Sequence, residues 1–103
     1  MEEILKPLRI KIDSLDEQIV TLLVEREKIV HQVADIKEEH GIAVVLPERI
    51  AKVVDQAGAK AKALGGSENY ARKIYKRIIE LSCELETDLI DNDPVDNDKS
   101  DKE

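Results

Sequence analysis

The sequence predicts an all-α protein, and three observations carry that expectation. Apolar residues recur at alternating steps of three and four along most of the chain, the period of a helix face. Four glycines and three prolines among 103 residues are too few for a turn-rich β-sandwich or barrel. Hydrophobic residues make up 42% and charged residues 38%, while the only aromatics are Tyr70 and Tyr75. That is a Leu, Ile, Val, Ala, Lys and Glu mixture suited to helices packed along aliphatic seams.

The first predicted helix is long. Leu5, Leu8, Ile12, Leu15, Ile19, Leu22, Ile29, Val33 and Ile36 form its seam, and nothing interrupts it between Pro7, tolerable in a first turn, and Gly41. At 1.5 Å per residue such a helix is roughly 50 Å long, whereas a globule of this size has a radius of gyration of about 13 Å. One chain cannot cover it, so a second copy is the expected cover. Residues 41–46 read as a partly buried apolar loop. Pro47 opens a second helix, with Glu48 in its first turn and Ile50, Val53, Val54, Ala57, Ala61 and Leu64 as its buried stripe. Gly65-Gly66 ends that helix. Ser67 is the N-cap of a third, which turns Ala71, Ile74, Ile78, Leu81, Leu85 and Leu89 inward.

The chain carries a net charge of −7. Residues 91–103 hold six acids and two lysines, leaving 17 acids and 14 bases in residues 1–90. The expected organisation is one helical domain over 1–90 and an acidic disordered tail over 91–103. The acidic balance argues against nucleic-acid binding, which needs clustered excess cations. No apolar run is long enough for a membrane span. A lone cysteine, Cys83, points to no disulfide, and the acidic Met1-Glu2-Glu3 start does not resemble a signal peptide, so a cytoplasmic protein is expected.

The seam of the first helix has a hole. Four residues beyond Leu22 stands Arg26, and Lys37 follows 11 residues later, close to three full turns, so the two cations share a face. Each alone has an ordinary reading: Arg26 snorkelling or paired with a glutamate, Lys37 favouring a helix C-terminus. Together they call for an anion. Arg9 lies about 25 Å from Arg26 and about 100° round the helix. It is either a surface partner of Asp13 or part of a site completed by a second chain. Arg49 stands in the first turn of the second helix, where the dipole disfavours a cation unless an anion is near. Ser82 and Glu86 lie one turn apart beside the third seam; Glu86 is an exposed residue or a partner for one of the cations. His31 and His40 read as surface residues and Cys83 as core packing. No phosphate loop or metal motif is present.

The run Leu8-Arg9, Ile12-Asp13-Ser14-Leu15-Asp16, Leu22-Leu23-Val24-Glu25-Arg26 and Ile36-Lys37 resembles the all-helical chorismate mutases of the AroQ class. Pro47-Glu48-Arg49 and Ile78-Ile79-Glu80-Leu81-Ser82 extend the resemblance, which runs from about Leu5 to Leu89. It implies an intertwined helical-bundle homodimer with two active sites, each shared between the chains. It also implies a Claisen rearrangement of a dicarboxylate, which is unimolecular and needs no cofactor or metal. By position, Arg9 of the other chain, Arg26 and Arg49 would hold the carboxylates, and Lys37 would donate to the ether oxygen. Ser82 would line the carboxylate end, and Glu86 would take the second ether-oxygen position. Two positions depart from many bacterial mutases, with Ile50 where they have glutamate and Glu86 where they often have glutamine. Pro47-Glu48-Arg49-Ile50 is similar to relatives acting on altered substrates, the isochorismate-pyruvate lyases and the 4-amino-4-deoxychorismate mutases, and His40-Gly41-Ile42 and the Cys83, Glu86 spacing are similar to the second group. A helical dimer without catalytic activity is the reading from another class; burying Arg26 and Lys37 argues against it.

Overall fold

The computed structural model describes residues 1–91, so the acidic tail predicted for residues 91–103 lies, Asp91 apart, outside the described residues. Among those described residues there are three helices and no strand: α1 (Glu2–His40), α2 (Pro47–Ala63) and α3 (Glu68–Asp91). The all-α, three-helix expectation is met. The described residues divide into two compact units, Met1–Val30 and a second that begins at His31.

In the first unit the helix begins with acids in its first turn, Glu2 and Glu3, which suit the positive end of the helix dipole. Pro7 falls in the second turn rather than the first, because α1 starts at Glu2. The ring there removes one early helical hydrogen bond without ending the helix. Leu8, Ile12, Leu15, Ile19 and Leu22 are all exposed in the single chain, Leu22 by 62%. Only Val30 in this unit is buried.

The second unit holds the end of α1 with α2 and α3. Gly41 stops α1 in the left-handed conformation, at φ +66°, and the Ile42 N–H donates to the Lys37 carbonyl at 2.8 Å. That bond spans the last turn in the Schellman pattern. α2 opens with Pro47 at its first position, and closes with the same device. Gly65 has φ +83°, its N–H donates to the Lys62 carbonyl at 3.0 Å, and the Gly66 N–H donates to the Ala61 carbonyl at 2.8 Å. Ser67 then caps α3, its Oγ accepting from the Tyr70 N–H at 3.1 Å. Each of these ends follows from chemistry within a few residues.

α2 and α3 pack against each other. Val54 and Ile79 are buried, and so is Gly58, where a Cβ would lie 2.8 Å from Cγ of Arg72 and 3.0 Å from Cγ of Glu68. The missing side chain at Gly58 is what lets α3 come this close. An Arg72–Asp55 ion pair of 2.7 Å ties the two helices at their edge.

Burial corrects part of the predicted seams. Leu64, expected in the α2 stripe, is 75% exposed, because the helix has ended at Ala63 and the chain is already turning. Ile74 and Leu81 of α3 are exposed, and the buried line runs instead through Ile79 and Glu86. In α1, Ile29, Val33 and Ile36 are exposed whereas Val30 and Ala34 are buried, Ala34 to 1%. The period identified a broad apolar stripe; its own chain covers one edge of it.

Candidate active site

Among the described residues of the second unit, Lys37 and Glu86 form a nearly enclosed polar pair. Nζ of Lys37 donates to the Val44 carbonyl at 2.8 Å and lies 2.8 Å from Oε1 of Glu86, with side-chain exposures of 11% and 8% for the lysine and glutamate. α1 supplies the lysine from its last turn, and α3 supplies the glutamate from its buried line. The contact with Glu86 has ion-pair distance but not hydrogen-bond alignment, so Oε1 remains without a hydrogen-bond partner among the described residues. A buried carboxylate oxygen in that condition has acceptor capacity left for a donor. The sequence reading asked for an anion opposite Lys37, and the chain itself supplies one in Glu86.

Ser82 lies one turn before Glu86 and is half-buried; its Oγ donates to the Ile78 carbonyl at 2.8 Å. That bond directs the hydroxyl proton to its own helix. Arg49 is exposed near the start of α2 and forms no ion pair with another described residue. Ile50 lies beside it in a different setting, a hollow of about 350 Å³ walled by Val45, Pro47, Ala51 and Val54, with Asp55, Arg72 and Lys76 at its polar edge. Lys37, Ser82 and Glu86 do not line that hollow. The single chain therefore brings Lys37 and Glu86 together, sets Ser82 on the same helix as Glu86, and leaves Ile50 in separate apolar surroundings.

The other two arginines belong to the first unit. Arg26 is half-buried, the first interruption in an otherwise exposed run. Arg9 is exposed, and its Nε lies 3.2 Å from Oε1 of Glu2, a residue more exposed still. The surface pairing expected with Asp13 is thus replaced by one with Glu2. Such exposed pairs hold a side chain only weakly.

The Val44 carbonyl was missed in the sequence, since backbone acceptors carry no residue signature. The indirect signal was the shortness of the stretch between Gly41 and Pro47, which keeps that backbone near the end of α1. Among the described residues no cluster of His, Cys, Asp and Glu could hold a metal ion, and no helix is long and apolar enough to cross a membrane.

Comparison with known proteins connects this arrangement to a family. The model of the family described as chorismate mutase type II matches residues 8–87. The chorismate mutase of Methanocaldococcus jannaschii is 33% identical over 91 residues, covering 88% of this chain and 92% of that protein. The 4-amino-4-deoxychorismate mutase of Streptomyces venezuelae is 30% identical over 86 residues, covering 84% of this chain and 82% of that protein. The T-protein of Haemophilus influenzae is 32% identical over 80 residues, 78% of this chain but 21% of its own length. The chain thus spans about a fifth of the length of the T-proteins it matches. No solved structure matches. The family match begins just before Arg9 and closes just after Glu86, enclosing Arg9, Arg26, Lys37, Arg49, Ser82 and Glu86; the chain belongs to the chorismate mutase type II family.

Proposed function

We propose that the protein is an isomerase that rearranges chorismate to prephenate, or the 4-amino-4-deoxy analogue to its counterpart, as a homodimer with active sites shared between chains. The observation that carries this reading is the nearly enclosed Lys37 ammonium, held by the Val44 carbonyl and Glu86, in a chain of this family. The rearrangement breaks the ether C–O bond and forms a C–C bond within one molecule, so no nucleophile or general base is needed. Catalysis then rests on holding the substrate in a compact reactive shape and stabilising the charge that grows on the ether oxygen. Lys37 is the donor to that oxygen. Glu86 is the second group at the oxygen. Arg26, Arg49 and Arg9 of the other chain grip the two carboxylates, for which the planar guanidinium fork is suited. Ser82 lines the carboxylate end, and Ile50 takes the position beside C4 of the ring.

The exposed apolar run of α1 supports the dimer. Burying one leucine or isoleucine side chain is worth about 1.5–3 kcal/mol, and Leu8, Leu15, Ile19 and Leu22 all lack cover in the single chain. The pure protein, incubated separately with chorismate, isochorismate and 4-amino-4-deoxychorismate, tests the reaction. Rearranged product from chorismate or the amino analogue supports the reading. Release of pyruvate from isochorismate replaces it with a lyase, and inertness toward all three with a non-catalytic dimer.

A further inference from the structure

Lys37 is held at both ends by the same short loop. Its backbone carbonyl accepts from the Ile42 N–H at 2.8 Å, closing α1, and its ammonium donates to the Val44 carbonyl at 2.8 Å. Between the two bonds the chain turns at Gly41, whose φ of +66° places it where side chains other than glycine, asparagine and aspartate are rarely found. The turn that ends the helix is therefore also the turn that brings the Val44 carbonyl over the end of the lysine side chain. A lysine has four rotatable bonds and reaches a fixed point only when something holds its head. Glu86 attracts that head without hydrogen-bond alignment, so the aligned bond to Val44 fixes its direction.

We infer that Gly41 is a positioning residue for Lys37: its left-handed turn sets the Val44 carbonyl that aims the ammonium, and so tunes turnover without touching substrate. The inference rests on the proposed role of Lys37. The molecule also contains its own control. Gly65 ends α2 in the same conformation, φ +83°, and at both glycines a Cβ would meet nothing within 4 Å. Gly41→Ala and Gly65→Ala therefore impose the same kind of backbone strain, but only the first lies between Lys37 and Val44.

The test compares kcat, KM and melting temperature for Gly41→Ala, Gly41→Asn and Gly65→Ala, using chorismate and its 4-amino-4-deoxy analogue as substrates. Gly41→Ala should lower kcat by as much as about 10²-fold, the loss that a misplacement of about 1 Å can cause, with KM little changed. Gly41→Asn should recover most of that loss, because asparagine tolerates the left-handed region. Gly65→Ala should lower the melting temperature similarly and leave kcat near that of the parent. Equal kcat in the two alanine variants, or no recovery with asparagine, overturns the inference. An activity-independent readout separates it from the assignment of the reaction. In spectra of lysine side chains, with the Lys37 signal identified by its loss in Lys37→Gln, Gly41→Ala should shift that signal and Gly65→Ala should not. If the shift appears in a protein inert to all substrates, the reaction assignment fails and the positioning stands. If Lys37 does not respond to Gly41→Ala, the positioning fails whatever the reaction.

Discussion

The ammonium of Lys37 and the carboxylate of Glu86 face each other 2.8 Å apart, one from α1 and one from α3, both almost excluded from solvent. In such a pair the attraction offsets a large loss of hydration, so removing one partner exposes the cost of burying the other. Lys37→Ala should destabilise the fold by about 3–5 kcal/mol, whereas Glu86→Gln, which leaves Lys37 its bond to Val44, should cost less. Urea unfolding of the two variants and of Lys37→Ala/Glu86→Ala measures this, with the double variant recovering part of the single loss. A loss of turnover in Lys37→Ala must accordingly be measured on protein shown to be folded.

Glu86→Gln has a separate effect on the reaction. An ionised carboxylate only accepts, whereas an amide also donates. With chorismate, an amide beside the ether oxygen stabilises the growing negative charge, so Glu86→Gln should raise kcat at neutral pH. With the 4-amino analogue the lost negative charge should lower kcat/KM. Assaying parent and variant on both substrates identifies which ring substituent the site is built for; a variant indistinguishable from the parent on both places Glu86 outside the chemistry.

Sharing of the site can be tested by complementation. Arg9→Ala and Lys37→Gln should each be nearly inactive alone. If each site takes Arg9 from the opposite chain, randomly exchanged dimers of the two variants contain one intact site per heterodimer, and about a quarter of all sites regain activity. Mixing, partial unfolding and refolding, followed by assay, measures the recovery. No recovery, or a monomer in sedimentation at micromolar concentration, removes Arg9 of the second chain from the mechanism.

Gly58 offers a test of packing alone. Alanine there gains helix propensity of up to about 1 kcal/mol, but its Cβ would stand 2.8 Å from Cγ of Arg72, too close to be accommodated without movement. Overpacking of this kind typically costs about 1–3 kcal/mol. Gly58→Ala should therefore melt at a lower temperature than the parent despite the better helix former, and Gly58→Leu lower still.

The helix ends were legible because they are local. Gly41, Pro47, Gly65-Gly66 and Ser67 each act through backbone conformation or a hydrogen bond to a near neighbour, and the end of α1, both ends of α2 and the start of α3 fall where those residues place them. The buried faces were legible only in part. Period alone gives the centre and width of a stripe, and Ile74 and Leu81 lie within the predicted stripe of α3 yet outside what α2 covers. Lys37 was found as a cation on an inward face, but pairing it with Glu86 needed the packing of distant segments, which no spacing along the chain encodes. The Val44 carbonyl had no side-chain signal at all. The family match bears on the identity of the chain and leaves the role of each polar residue to the experiments above.

The joint between α2 and α3 has a consequence for how the chain acquires its structure. Leu64, Gly65, Gly66 and Ser67 connect two helices that pack on each other, with a stop signal and a start signal written side by side. Contacts between neighbours in sequence require little loop closure, so helical hairpins of this kind assemble early and fast, on the scale of microseconds to milliseconds. The first unit has no comparable nearby partner along the chain. On a ribosome, or after dilution from denaturant, residues 47–91 should thus gain amide protection before residues 1–30, and the order of folding runs against the order of synthesis.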